Sequence, residues 1–524
     1  MGCVGMRFGR NVGREHTQKP SEEELLSPNP RVVSEVLLKR EKFKPATILN
    51  LLAAAWIQFS VHDWYFPHTR CCGGMLLIMV GCRFMHTNST TEKHDIKLPP
   101  GDTWSAPQMS VEATQADEPL DDTDKKSPAY KNENTHWWDG SQIYGSSEAR
   151  TKELRGLPRD ENGIPRTGFY TNWWLGLEML HTLFVLEHNA ICDQLAKEYP
   201  DWESGKIFDT ARLVNCALMA KIHTTEWTPA ILGHPALQVA MSGNWWGVLG
   251  EKLYKLLGRV APGESTSGIP GSGAEQHGTA YSLTEEFVSV YRMHSLIPDN
   301  IAFFSAATGE HKKTYPIHGV AFGEARAPLT EQRLGFEDIF YSFGINYPGA
   351  VTVNNTPDFL RDLHTPEGRH VDMGTIDILR DRERGVPRYN KFRELFHMKP
   401  VASFLELTGG NEDVTAKLDK VYEGDVNKVD LLVGCLCEPL PKGFGFSDTA
   451  FRVFILMASR RLKSDRFIAT DWNEETYSKA GMHWVQYNGM KEVLTRHFPV
   501  LSESLEGVKN RKCPAAVFGC GLMC

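Results

Sequence analysis

A mainly α fold is what this sequence predicts. Apolar residues recur at spacings of three and four along several long segments, while the two-residue alternation that strands need is scarce. No internal repeat of about 20 to 50 residues is present, which excludes solenoids and propellers. With 41% hydrophobic and 23% charged residues the chain has the composition of a globular core rather than of a disordered segment. Its 524 residues admit up to three domains at a prior of roughly 150 residues each. No Pro/Ser/Gly linker divides them, so the expectation is one large helical domain with long loops.

Taken in order, residues 1–45 are polar and charged, and Ala46 to Trp64 reads as a buried helix, apolar on most faces and rich in helix formers. Residues 69–130 carry a Cys/Met-rich patch and then a polar stretch ending in DDTDKKS, read as an irregular, surface-loop insertion. Helical spacing resumes over Asn172 to Tyr199 and Ile207 to Leu232, with Pro200 and the Gly233-His234-Pro235 cluster as stops. Gly263 to Gly278 is a Gly/Ser-rich loop. Ser282 followed by Glu285 predicts a capping box at the start of the next helix. Further helices are expected at Thr375 to Arg382, Lys391 to Phe396, Asp448 to Lys463 and Glu474 to Ala480. The main body spans 46–505, with 506–524 as a tail.

Several classes drop out. Lys+Arg 57 against Asp+Glu 65 gives a net charge of −8, so no general basic surface exists to hold nucleic acid. The longest apolar runs, Leu51 to Val61 and Gly74 to Cys82, fall short of the ~20 residues that span a bilayer. The eleven cysteines form no CxxC pair and suggest neither a disulfide framework nor a zinc site. The start lacks a signal-peptide core, which points to an intracellular protein. Gly2-Cys3 suits acylation, but Met6 stands where a Ser or Thr is preferred.

Three groups of residues carry chemical potential. Gln58 and His62 stand four apart on the first helix and project from one face, fit either to share a ligand or to serve as core residues. Thr135, Trp137, Asp139 and Ser141 alternate along one segment, so an extended loop places their oxygens on one side, as a hard cation such as Ca²⁺ requires; an ordinary Asx turn is the alternative. Tyr291 and His294 are three apart within the expected helix, a phenol one turn from an imidazole. A metal-bound macrocycle held by His294 would have Tyr291 at its edge.

Six ordered segments together resemble the animal-type haem peroxidase superfamily, and most closely its fatty-acid alpha-dioxygenase branch, which is related to the cyclooxygenases. They are QFSVHDW (58–64), THWWDGSQIYG (135–145), HTLFVLEHN (181–189), HTTEWT (223–228), SLTEEFVSVYRMHSLIP (282–298) and RDRERGVPRYN (380–390). The resemblance covers roughly residues 25–68 and 130–500. It implies His62 as the distal haem histidine with Gln58 beside it, and His294 as the iron ligand. Asp377 matches the position that orients this proximal histidine, and a carboxylate there raises imidazole basicity. Asp63, Thr135, the Trp137 carbonyl, Asp139 and Ser141 match a calcium loop.

Tyr291 matches the radical tyrosine: oxidised through a peroxide-activated haem, it would abstract hydrogen from C2 of a fatty acid, and O₂ would add to give a 2-hydroperoxy acid. His223 and the pair Arg460 and Arg461 match carboxylate-binding positions, with Arg466 a further candidate. Val61 stands where secreted relatives carry an ester-forming Asp, which implies a haem b held without covalent links. The segment before His62 is shorter than is usual in the family and Cys71 to Pro99 departs from the family's sequence; both read either as an incomplete or misassembled gene model or as a real deletion. The rivals are a general peroxidase, oxygenation elsewhere on the acyl chain as in diol synthases or cyclooxygenases, and an inactive haem or lipid binder. A poorly soluble substrate suggests peripheral attachment to membranes or lipid bodies.

Overall fold

The computed structural model describes residues 4–61, 92–104, 106–156, 159, 165–168, 172–274, 282–365, 368–509 and 517–519. Helices dominate, as expected, and among the described residues the strands form three separate two-stranded antiparallel sheets. His62, Asp63 and the Cys/Met-rich patch fall outside the described residues.

Helix α1 (Leu51–Val61) has apolar residues all round, and every member except Gln58 is buried. A helix without a polar face belongs inside a bundle, and α1 packs against α2 (Leu175–Glu198) through Trp56 and Phe59 on Phe184 at ring separations of 5.5 Å. Helix α3 (Ser204–Ile222) packs along α2. The run Ile207 to Leu232 is helical as expected but not uniform. His223–Trp227 widens into a π-helical turn before a last α turn, Thr228–Ile231. Pro229 has no N–H to offer the ladder, and the His223 carbonyl accepts both the Thr228 N–H and, at 2.9 Å, the Thr228 hydroxyl. Such widened turns recur at functional sites.

Two expectations need correcting. The insertion 69–130 is not all surface loop: β1 (Lys93–Lys97) and β2 (Gln108–Glu112) pair antiparallel, and their alternate residues His94, Ile96, Met109 and Val111 are buried. The run is too short and too charged on its outer face for the alternation to stand out from a polar background. The polar segment 1–45 is also no appendage. Val33, Leu37 and Leu38 are buried, and Arg31 holds Asp102 at 2.8 Å and Asp372 at 2.7 Å.

Helix α4 (Glu285–Val290) leads to the centre of the molecule and packs against α5 (Met373–Glu383) and α6 (Asp448–Ser464). All of α5 is buried although it carries five charged residues, so each charge needs a partner. Arg382 grips both Asp430 oxygens at 2.7 Å, Arg380 meets Glu383 at 2.7 Å, and Asp377 receives Arg292. The RDRER run is thus an interior ion network. The small hairpin of β3 (Asn300–Phe304) and β4 (His311–Pro316) follows α4, and β5 (Leu363–His364) with β6 (His370–Val371) lies just before α5.

Candidate active site

Tyr291 and His294 are not on one helix as the spacing predicted. Thr284, not Ser282, caps α4, its hydroxyl accepting the Phe287 N–H at 3.2 Å. The helix ends at Val290, and Tyr291 is its C-cap. The Met293 N–H turns back to the Tyr291 carbonyl at 2.9 Å, and His294 opens a short 3₁₀ turn, His294–Leu296. The break coincides with a tertiary ion pair: Arg292 turns towards Asp377 and, at 3.6 Å, Asp381, both on α5. Tyr291 is buried between two rings, Phe287 at 4.4 Å and Phe454 of α6 at 5.7 Å, the latter nearly parallel at 3°.

His294 is held by one nitrogen. Its Nδ1 lies 3.1 Å from Asp377 Oδ2, while Nε2 is buried with no hydrogen-bond partner among the described residues. Burial, with Arg292 alongside, pushes the imidazole well below its ordinary pKa. The ring is therefore neutral, Nδ1 carries the proton toward the carboxylate, and the Nε2 lone pair is left for a ligand. A buried polar atom without a partner costs about 1–3 kcal/mol. A haem iron at Nε2 removes that cost, so the residues present fit the group.

On the other side of the bundle α1 presents Gln58, whose Oε1 accepts the Trp174 indole N–H at 2.7 Å. Two residues earlier, on a different face of α1, the Trp56 indole N–H donates to His223 Nδ1 at 3.2 Å. His223 is stacked on Trp227 at 4.7 Å and tilted to Trp138 at 5.0 Å, and burial drives it down to about 3. With Nδ1 accepting, the neutral ring carries its proton on Nε2, the opposite tautomer to His294.

The 135–141 segment closes on itself. The Thr135 hydroxyl donates to Asp139 Oδ2 at 2.7 Å, the Ser141 N–H donates to Asp139 Oδ1 at 3.1 Å, and Arg212 of α3 holds the Asp139 carbonyl at 3.1 Å. Burial raises the Asp139 pKa, and Ser141 Oγ is buried without a partner among the described residues. An oxygen cluster around a carboxylate short of countercharge suits a hard cation.

The three arginines do not converge. Arg461 is buried and donates to the His136 carbonyl at 3.0 Å, Arg460 is half-buried 3.6 Å from Glu264, and Arg466 points outward to Asp471 at 2.8 Å with its side chain 69% exposed. Arg460 and Arg461 are neighbours on a helix, so they point in different directions. Arg466 lies beyond the end of α6, where the chain has turned. Sequence reasoning also missed Arg292, Trp56 and Trp174, whose contacts orient Asp377, His223 and Gln58. Arg292 sat between two singled-out residues, but no spacing rule ties an arginine to a carboxylate 85 positions away.

The profile of the animal haem peroxidases matches residues 1–164 and 158–507. The chain belongs to the animal haem peroxidase family. This family member is 37% identical to alpha-dioxygenase 2 of Arabidopsis thaliana over 529 residues, covering 94% of this chain and 79% of the relative. It is 37% identical to alpha-dioxygenase PIOX of Oryza sativa subsp. japonica, covering 94% and 80%. A crystal structure of a tyrosine-to-phenylalanine variant of the Oryza sativa fatty acid alpha-dioxygenase with palmitic acid superposes with a TM-score of 0.85 at 34% identity, covering 98% of this chain and 84% of that one. Peroxidase A of Dictyostelium discoideum, at 19% identity and a TM-score of 0.68, shares the fold. The family member is an oxidoreductase with the helical peroxidase fold. Among its described residues no helix is long and apolar enough to cross a membrane.

Proposed function

We propose that this chain is a haem-dependent fatty-acid alpha-dioxygenase that converts a fatty acid and O₂ into a 2-hydroperoxy acid. The observation that carries the reading is the turn that sets a buried, ring-stacked Tyr291 three residues from a neutral His294 whose Nε2 has no hydrogen-bond partner among the described residues. In this reading His294 holds the haem, Asp377 orients His294, and Gln58 and His62, the latter outside the described residues, take the distal roles that the family pattern implies. A haem held there would supply, with peroxide, the oxidising equivalent by which Tyr291 loses one electron and its phenol proton and becomes a phenoxyl radical. The Tyr291 phenoxyl radical takes a hydrogen atom from C2 of the acid. O₂ adds to the resulting carbon radical, and the peroxyl radical recovers a hydrogen from Tyr291, which restores the phenoxyl for the next turnover.

Attack at C2 needs the carboxylate fixed near Tyr291. The proton on His223 Nε2 is a donor for it, and Arg461 is the buried cation of the three arginine candidates; Arg460 and Arg466 are the weaker ones. A haem b bound without covalent links and a calcium ion on Asp63, Thr135, the Trp137 carbonyl, Asp139 and Ser141 complete the site. The acyl substrate also supports peripheral attachment to membranes or lipid bodies, which flotation with phosphatidylcholine vesicles tests.

Oxygen uptake by haem-reconstituted protein with palmitate, with products identified by mass spectrometry, is the deciding experiment. A 2-hydroperoxide or the one-carbon-shorter aldehyde is expected, and a hydroperoxide elsewhere on the chain would favour a diol-synthase or cyclooxygenase-like reaction. Tyr291→Phe is expected to keep the Soret band and lose uptake by about 10³-fold or more. Undiminished 2-hydroperoxide formation in that variant would sink the radical role.

A further inference from the structure

Away from the candidate active site, three side chains converge beside the β5–β6 hairpin. Asp362 follows the short helix Asp358–Arg361, and His364 and His370 are directly opposite each other across the two strands. Residues facing each other in this way project from the same side of the hairpin. The two imidazoles stack at 4.2 Å and 11°, and the indole of Trp104 backs His370 at 3.6 Å. His370 Nε2 is hydrogen-bonded to Asp362 Oδ1, and His364 Nε2 lies 3.7 Å from the same oxygen. One ligand atom from each residue falls within 4.8 Å of the other two. A tetrahedral zinc with bonds near 2.0–2.1 Å needs its ligand atoms about 3.3 Å apart, so small side-chain rotations suffice.

We propose that Asp362, His364 and His370 form a binding site for a divalent transition metal of the Zn²⁺ class, with water in the fourth position. Two neutral imidazoles and one carboxylate favour such an ion over Ca²⁺ or Mg²⁺, which take oxygen ligands. A second feature agrees. Asp362 and His364 line a cavity of about 580 Å³, which gives an ion an open path to them; the other carboxylates of that cavity, Glu41, Asp299 and Asp358, are paired with Lys417, Arg40 and Arg361. The ion would tie the end of the Asp358–Arg361 helix to β6, two residues before Asp372. The Asp372 carboxylate caps α5, accepting the Gly374 N–H at 2.8 Å, and also binds Arg31. The metal thus clips the chain at the entrance to the helix that carries Asp377.

The test is zinc titration of tag-free, full-length haem protein, with excess calcium present to occupy oxygen-donor sites. One Zn²⁺ per chain at a micromolar Kd is expected, weakened by about tenfold or more in His364→Ala and in Asp362→Asn. His311→Ala, at an exposed histidine on β4, should bind as the wild type does. Both test positions are largely solvent-exposed, with side chains 71% and 67% accessible, so the variants should fold. Bound Co²⁺ should add visible absorption that His364→Ala loses. No zinc uptake at about 100 µM, or equal affinity in His364→Ala and wild type, would overturn the site.

Discussion

His294 and His223 are both buried and both held neutral, yet their environments give them opposite tautomers. His294 Nδ1 faces the Asp377 carboxylate and His223 Nδ1 faces the Trp56 indole N–H. An acceptor next to Nδ1 fixes the proton there and frees the Nε2 lone pair, as a metal ligand needs. A donor next to Nδ1 forces the proton onto Nε2, as a hydrogen-bond donor to a carboxylate needs. The role of each histidine is therefore set by one neighbour more than by its own burial. On the His294 side the acceptor is itself held, because Arg292 binds the Asp377 carboxylate.

Removing the acceptor is the larger perturbation. In Asp377→Asn the amide can present its oxygen to Nδ1 but no longer carries charge, so imidazole basicity falls and Arg292 loses the nearer of its two carboxylates on α5, keeping Asp381 at 3.6 Å. Haem affinity should drop about 10- to 100-fold, read by titration at the Soret band, with the visible spectrum shifted towards a weaker axial ligand. An unaltered haem affinity and spectrum would separate Asp377 from the proximal role. Removing the donor is smaller. Trp56→Phe deletes the indole N–H, lets His223 adopt either tautomer, and should raise the KM for palmitate by about tenfold with the haem spectrum unchanged. A fall in kcat at constant KM would instead place Trp56 in the chemistry.

How much of this was legible in the sequence follows from the range of the forces. Helices whose apolar spacing persists over many residues, α2 and α6, were read to within a few residues, because their pattern is local. The start of α4 was misplaced, since Ser282 and Thr284 both satisfy a capping rule and only packing chooses Thr284. The Tyr291 turn was hidden because it coincides with an ion pair to α5, distant in sequence. Arg460 and Arg461 were expected together from the family resemblance, with Arg466 as a further candidate, but whether a guanidinium faces inside or out depends on its place on α6 and on where that helix ends. The hairpin of β1 and β2 was missed because short, half-charged strands carry little periodic signal.

The finest test of the two-histidine comparison is pH. His223 falls from 6.5 to about 3 through burial, so the folded protein keeps it neutral while the unfolded chain protonates it below pH 6.5. The unfolded state then binds more protons, and stability falls as pH is lowered through this window. The contribution is complete above pH 6.5 and about 2 kcal/mol of it is gone by pH 5, at 1.36 kcal/mol per pH unit. His294 shifts in the same direction, but a ligand on Nε2 would remove it from the titration. His188, lowered to about 4 by burial, adds a constant background to both proteins. Urea unfolding of haem-loaded His223→Gln should therefore show a pH slope between 6.5 and 5 that is shallower than the wild type's by close to one proton. Identical slopes would mean that His223 is hydrated or charged in the folded state, and the tautomer assigned to it from Trp56 would fall with that result.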